Sequence, residues 1–138
     1  MRARAFLDTN ILVYTDDHDA SRKQAAALDL IERCRIAGSG VVSTQVLQEY
    51  FVAATRKLGV ALPIARRKVE LFARFEVVIP GVDDVLAAID LQRLHELSFR
   101  DALIVRAAST AGCGILYTED LQHGQRFDGV TVVDPLRG

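Results

Sequence analysis

Residues 5–14 read Ala-Phe-Leu-Asp-Thr-Asn-Ile-Leu-Val-Tyr, and this stretch decides the fold that the sequence predicts. A short apolar run stops at Asp8 and is followed at once by polar residues, which is typical of a buried strand that ends at the edge of a sheet. In open parallel sheets, ligands bind in the crevice outside the carboxyl ends of the strands. Asp8 is therefore expected at such a crevice, at the end of a central first strand.

Four more short apolar segments predict strands, at residues 40–43, 77–79, 114–117 and 130–133. Between them, helical periodicity predicts helices from about residue 21 to 37, 44 to 58, 63 to 72, 83 to 97 and 99 to 111. Asp19 or Ser21, Thr44 and Ser98 are expected to cap three of these helices. The side chains expected to face the core from the helices include Leu28, Ile31, Leu71, Leu86, Ile89 and Leu94.

Strands that alternate with helices indicate right-handed crossovers and a parallel sheet between two helical layers. We therefore predict an α/β fold, a three-layer sandwich around a central, mostly parallel five-stranded sheet. The length of 138 residues is typical of a single domain spanning residues 1–138.

Composition excludes several classes of protein. Half of the residues are hydrophobic and a quarter are charged, which is typical of globular domains. No apolar run approaches the roughly 20 residues that span a bilayer, and no signal peptide is recognisable, so we expect no membrane association and a cytoplasmic location. Cys34 and Cys113 are isolated and are expected to be reduced thiols in the core. The net charge of -1 means that any RNA binding must depend on local basic clusters such as Arg56–Lys57.

Asp101 is the most informative acidic residue after Asp8. If Ser98 is the N-cap, Asp101 is the third helical residue, where a carboxylate suits the helix dipole and resembles a capping box. However, Ile104 and Val105 make the face beneath it apolar, and a buried carboxylate needs a partner. A bound cation would supply that partner. For Asp8, too, there is an alternative to metal binding, because Asp residues at strand ends also form turns and caps.

Asp120 and Glu49 complete the set of candidate carboxylates. Asp120 follows the fourth strand, which is expected to lie beside the first, so Asp8 and Asp120 would lie close together at one edge of the sheet. The alternative is that Asp120 only forms a turn. Glu49 lies opposite the apolar stripe of its helix, like an ordinary surface residue, and contributes only if that side lines the crevice.

Four converging carboxylates repel one another, and a divalent cation removes that cost. Because no Cys or His joins them, Mg²⁺ or Mn²⁺ is favoured over Zn²⁺. Replacing Asp8 or Asp101 by Asn is expected to abolish metal-dependent chemistry and, by relieving repulsion, to raise the stability of the metal-free protein.

Four short motifs are similar to those of a known family. Leu7-Asp8-Thr9-Asn10-Ile11-Leu12, Gln48-Glu49, Ser98-Phe99-Arg100-Asp101-Ala102-Leu103-Ile104 and Thr118-Glu119-Asp120-Leu121 resemble the PIN-domain ribonucleases and, within them, the VapC-type toxins of bacterial toxin–antitoxin pairs. The resemblance runs from the first strand to the last. It implies a Mg²⁺- or Mn²⁺-dependent endoribonuclease that is usually a homodimer and is inhibited by a cognate antitoxin whose tail covers the acidic cleft.

The resemblance also assigns residues to roles. The acidic positions of the family fall on Asp8, Glu49, Asp101 and Asp120, and Asn10 and Thr118 match polar positions that shape the site. Relatives commonly carry an aromatic residue where this chain has Arg100, which could pair with a carboxylate or touch phosphate. Arg106 likewise replaces what is often a small residue. Arg56, Lys57 and Arg100 are candidates for contacts with the RNA backbone.

Two other functions are compatible with the sequence. The first is a non-catalytic PIN-like module that only sequesters a partner, although all four acidic residues are present. The second is phosphotransfer by a haloacid-dehalogenase-like or receiver-like domain. The dehalogenase-like enzymes require an Asp where this chain has Asn10, and a receiver requires a phosphoacceptor where the third strand ends in Ile79-Pro80.

Overall fold

The computed structural model describes residues 3–137 and contains one six-stranded sheet. Its strands are β1 (Ala5–Leu7), β2 (Gly40–Ser43), β3 (Glu76–Val78), β4 (Ile115–Tyr117), β5 (Arg126–Phe127) and β6 (Val130–Val133). They lie in the order β3-β2-β1-β4-β6-β5, and all neighbours are parallel except β5 and β6. The predicted α/β fold with a mostly parallel sheet is confirmed. The additional strand, β5, has only two residues and was too short to show a pattern.

Six helices connect the strands. They are α1 (Thr9–Tyr14), α2 (Ser21–Ala37), α3 (Thr44–Arg56), α4 (Leu62–Phe72), α5 (Val82–His95) and α6 (Phe99–Thr110). Helix α1 was not predicted, because its six residues are too few to reveal a helical period. Within the described part of the chain, no helix has both the length and the apolar character needed to cross a bilayer.

The centre of the core is β1, whose three residues are all buried between β2 and β4. Phe6 pairs with Val41 on one side and with Leu116 on the other, and all three side chains are fully buried or nearly so. This register brings Leu7 beside Tyr117, so the chain leaves β1 and β4 at the same edge of the sheet. The prediction that the first and fourth strands are neighbours is confirmed.

Several side chains predicted to face the core are instead 39% to 75% exposed, and these are Leu28, Leu71, Leu86, Ile89 and Leu94. In α2, the buried side is formed by Ala27, Leu30 and Cys34, and Leu28 lies off that side. In α5, only Ala88 is buried. A small side chain at the contact allows close helix packing and leaves the larger apolar residues of α5 outside.

The predicted caps are partly wrong. The N-cap of α2 is Ala20, which makes no side-chain cap, so neither Asp19 nor Ser21 has that role. Ser43 rather than Thr44 caps α3, because its hydroxyl accepts from the backbone N–H of Val46. The Ser98 cap is confirmed.

Cys34 and Cys113 are both buried and unpaired, as predicted. Burial raises the pKa of the Cys113 thiol to about 11, which keeps it in the unreactive protonated form at neutral pH.

Candidate active site

Asp8 lies where β1 ends, and it has the capping role that the sequence left open. Its side chain caps α1 by accepting from the backbone N–H of Thr9 at 2.6 Å. Its other carboxylate oxygen accepts from the hydroxyl of Thr118, which follows β4, at 2.8 Å. The residue is only 2% exposed. The carboxylate is therefore fixed from two neighbouring strands at the carboxyl edge of the sheet.

Thr118 and Asn10 hold the segment that carries Asp120. The Thr118 hydroxyl oxygen accepts from the backbone N–H of Asp120 at 3.0 Å and from the Asn10 amide at 3.2 Å. The Asn10 side-chain oxygen accepts in turn from the backbone N–H of Glu119. Both polar residues thus connect the segment after β4 to the start of α1. Asp120 is the most exposed of the four acids, at 47% of its side chain. Burial and the neighbouring charge of Asp8 raise its pKa above the ordinary value.

Glu49 projects from α3 towards the same edge. It accepts hydrogen bonds from the Thr9 hydroxyl at 2.6 Å and from the Gln45 amide at 3.2 Å. The side of α3 opposite its apolar stripe therefore faces the site, which was the condition for Glu49 to take part.

Asp101 lies in the first turn of α6. Its backbone N–H donates to the Ser98 hydroxyl at 3.0 Å, which makes Asp101 the third helical residue, as predicted. Its carboxylate, however, points to a neighbouring side chain and not back to the cap.

That neighbour is Arg100, whose guanidinium joins the whole set. Nη2 donates to Asp8 Oδ1 at 2.6 Å and to Glu49 Oε1 at 2.7 Å. Nη1 donates to Asp101 Oδ1 at 3.0 Å and lies 3.7 Å from Asp120 Oδ2. All four candidate carboxylates thus lie around one positively charged group, in an arrangement that we call the acid cluster. Of the two roles considered for Arg100, the structure shows pairing with carboxylates.

Two members of the cluster, Arg100 and Glu49, have pKa shifts in opposite directions. Burial by itself lowers the pKa of Arg100, but its hydrogen bonds to Asp8 and Glu49 raise it by more, so the pKa lies above the ordinary value. Burial raises the pKa of Glu49, whereas hydrogen bonds from Arg100 and Thr9 lower it by more, so the net shift is downward. Both shifts favour the charged form of the residue concerned.

The acid cluster has the donor chemistry of a site for a hard divalent cation. Its ligands are carboxylate oxygens without Cys or His, which suits Mg²⁺ or Mn²⁺. It already holds one cationic group, the guanidinium. With Arg100 among the carboxylates, no three Asp, Glu, His or Cys side chains in residues 3–137 are arranged to ligate one metal ion.

A cleft of about 690 Å³ opens next to the acid cluster. Its lining includes Glu49, Arg100 and Asp120 and, from the end of α3, Arg56 and Lys57. Glu119 also lines the cleft and accepts from the Tyr14 hydroxyl at 2.7 Å and from Lys23 at 2.9 Å. Acidic and basic groups thus share one concave surface.

Sequence reasoning gave no role to Thr9, although it contacts two members of the set. Its hydroxyl donates to Glu49 and accepts from Arg100 Nη2 at 2.9 Å. Its position directly after the strand-ending Asp8 was the only available signal, because a lone hydroxyl has no periodic pattern.

Comparison with known proteins gives a family match and structural neighbours. A PIN domain model matches residues 5–127. A toxin–antitoxin complex from Klebsiella pneumoniae has a TM-score of 0.70 at 21% identity and covers 95% of this chain and 97% of its own. DNA-bound VapBC from Salmonella typhimurium has a TM-score of 0.69 at 19% identity, with coverages of 97% and 99%.

A third solved structure is VapC20 of Mycobacterium tuberculosis, described as a toxin that cleaves the sarcin–ricin loop. It has a TM-score of 0.66 at 20% identity and covers 84% of this chain and 91% of its own. Identities this low indicate a shared fold. No curated protein sequence matches the chain significantly.

Proposed function

The chain belongs to the PIN domain family, and on that premise we propose that it is a divalent-metal-dependent endoribonuclease that hydrolyses RNA phosphodiesters. One observation carries the proposal: carboxylates from four separate segments lie within 3.7 Å of a single cationic group at the carboxyl edge of the sheet. The guanidinium of Arg100 offsets the repulsion within this cluster, whose carboxylate oxygens are the donors that Mg²⁺ and Mn²⁺ prefer, and an open cleft of about 690 Å³ lies beside it.

Asp8 and Asp101 are the proposed direct ligands of Mg²⁺ or Mn²⁺, with Asp120 and Glu49 as the remaining acidic members of the site. When bound, the ion supplies Lewis-acid polarisation of the scissile phosphate and a more acidic water. Thr118 and the backbone N–H of Thr9 hold the Asp8 carboxylate in place. Glu49, oriented by Thr9 and Gln45, is positioned to orient the attacking water and accept its proton.

Arg56 and Lys57 are the proposed contacts to the RNA backbone. They line the same cleft as Glu49, and a basic wall offsets the repulsion between RNA and the acid cluster. Arg100 directs all three of its nitrogens to the cluster. It can therefore contact a phosphate only after leaving those carboxylates.

We further infer that the chain is the toxin of a toxin–antitoxin pair and acts in the cytoplasm. The fold likeness to toxin–antitoxin complexes supports an antitoxin partner. An apolar groove of about 440 Å³, formed by α3 and α4, lies beside the cleft and includes Leu47, Phe51 and Val69. Gln48 and Val52 line both the groove and the cleft, so a segment bound in the groove would extend to the acid cluster.

Homodimerisation is the second proposed association. Helix α5 presents Val82, Leu86 and Leu94 to solvent, and a contiguous exposed apolar face is typical of an interaction surface.

The test is cleavage of labelled RNA by the purified protein with Mg²⁺ or Mn²⁺ and with EDTA. We expect EDTA to stop cleavage and Asp101→Asn to reduce it by about 100-fold or more, because a charged ligand is lost. Asp29→Asn is the matched control, since Asp29 pairs with Arg33 on the exposed side of α2. Circular dichroism would verify that each variant folds.

Cleavage that persists in EDTA would contradict the metal requirement. Growth inhibition that survives Asp8→Asn, in cells without the antitoxin, would favour the non-catalytic binding module instead. Uptake of phosphate from acetyl phosphate would favour phosphotransfer.

A further inference from the structure

Arg100 uses its entire set of donors inside the acid cluster. Nη2 contacts Asp8, Glu49 and the Thr9 hydroxyl, Nη1 contacts Asp8 and Asp101, and Nε contacts both oxygens of Glu49 at 3.2 Å. A surface arginine normally spends much of its donor capacity on water. Here the side chain is only 31% exposed and its guanidinium is the counter-charge of the site.

The oxygens that Arg100 occupies are those that a metal ion would need. Asp8 Oδ1, Glu49 Oε1 and Asp101 Oδ1 each accept a short charge-assisted hydrogen bond from it. A divalent ion ligated by the same oxygens would lie against a guanidinium of like charge, which is strongly unfavourable at such separations. The two cations therefore compete for one set of ligands.

The position of Arg100 allows it to leave. It is the second residue of α6, beside the open cleft, so rotation of its long side chain would free the carboxylates without moving the helix. The residues that fix the carboxylates would stay in place, because Thr118 and the backbone of Thr9 bind Asp8 independently of Arg100.

We propose that Arg100 is a built-in occupant of the metal site, and that divalent-ion binding requires its displacement from Asp8, Glu49 and Asp101. This inference rests on the proposed function, because it assumes that the acid cluster is the metal site. The measured association constant for the metal is then the intrinsic association constant multiplied by the fraction of molecules in which Arg100 has left the carboxylates.

Calorimetric titration with Mn²⁺ alone tests the competition without any cleavage assay. We expect Arg100→Gln to bind Mn²⁺ at least about tenfold more tightly than the wild type. Arg100→Lys should fall between them, because one ammonium cannot contact all the carboxylates at once. Arg106→Gln is the matched control and should bind like the wild type. It removes the same charge from the same helix, but Arg106 pairs with Asp84 instead.

A second measurement keeps the inference testable if Arg100→Gln folds poorly. In the wild-type protein, the ¹⁵N–¹H resonance of Arg100 Nε, identified by its absence in Arg100→Lys, should be protected from solvent exchange without metal. Saturating Mg²⁺ should shift this resonance towards the chemical shifts of exposed arginines and abolish its protection from exchange.

The outcomes separate the two proposals. Equal Mn²⁺ affinities for wild type and Arg100→Gln, or an Arg100 resonance unchanged by saturating Mg²⁺, would overturn the competition while leaving metal-dependent cleavage intact. Absence of Mn²⁺ binding in every variant, together with cleavage that EDTA does not affect, would overturn the metal site itself and the competition with it.

Discussion

The acid cluster and the outer face of α5 depart from the usual distribution of side chains in opposite ways. In the cluster, three of the four carboxylates lie in partly or fully buried positions, with Asp8 only 2% exposed. On α5, Val82 and Leu94 are each 75% exposed. Folded proteins usually keep charges in water and large apolar groups inside, so buried charge and exposed apolar surface are the informative exceptions.

The difference lies in how each exception is compensated. The buried carboxylates are compensated within the chain by the guanidinium of Arg100. The apolar side chains of α5 remain in contact with solvent in the described part of the chain. A ligand of the acid cluster must therefore replace an existing partner, whereas a partner of α5 needs only to exclude water.

The largest expected effect comes from removing the internal compensation. Without metal, Arg100→Gln should lower the free energy of unfolding by about 3 kcal/mol, because it leaves buried carboxylates unpaired. Arg106→Gln should cost about 1 kcal/mol or less, since it breaks an ion pair with a single carboxylate. Urea denaturation in EDTA measures both. Equal losses of unfolding free energy in the two variants would mean that Arg100 stabilises the folded protein no more than an ordinary ion pair does.

Asp8→Asn should also destabilise the metal-free protein, by about 2 kcal/mol. The expectation of higher stability assumed four carboxylates that only repel one another, but Asp8 is paired with both Nη atoms of Arg100. Asn keeps only one acceptor oxygen and can accept from Thr9 or from Thr118 but not from both, so the loss is that of the ion pair and of one hydrogen bond. The same urea titration measures it. A variant more stable than the wild type would show that repulsion outweighs the pairing with Arg100.

The sequence predicted the position of the acid cluster because chain topology determines it. Strand ends can be read from local pattern, and parallel neighbours bring Asp8 and the segment after β4 to one edge. The side of α3 that carries Glu49 could also be predicted, because the helical period shows that Glu49 lies opposite the apolar stripe.

What the sequence could not predict depends on side-chain contacts. The adjacent pair Arg100-Asp101 shows no periodicity, so nothing indicated that the arginine would contact all four acids. Likewise, Leu86 and Ile89 have the spacing of a core stripe, but burial of Ala88 depends on which side of α5 packs against α6. A period identifies an apolar face but does not say whether the same chain or another covers it.

On the α5 side of the comparison, Leu86→Glu should weaken self-association at least tenfold, about 1.4 kcal/mol, because it places a charge on the apolar face. The free energy of unfolding of the monomer should hardly change, since Leu86 is exposed. Sedimentation over a range of concentrations measures the association. Ile36→Glu is the control, because Ile36 is also exposed but belongs to a different helix, α2. Unchanged association of Leu86→Glu would exclude this face as the interface.

The smallest effect concerns Asp84, which links the two regions because it lies in α5 and pairs with Arg106 of α6. Hydrogen bonds from the backbone N–H of Gly81 and from Arg106 lower the pKa of Asp84 below its ordinary value. A carboxyl whose pKa is lowered on folding adds stability above its unfolded pKa, about 3.9, and loses that contribution as pH falls through the folded pKa.

Asp84→Asn should therefore cost about 0.5–1 kcal/mol at pH 7 and almost nothing at about pH 2. Urea denaturation of both proteins at the two pH values gives the difference. A cost that is the same at both pH values would assign the role of Asp84 to shape alone. A cost that disappears at low pH would show that this single partly buried pair behaves as an ordinary titrating contact, unlike the shared guanidinium of Arg100.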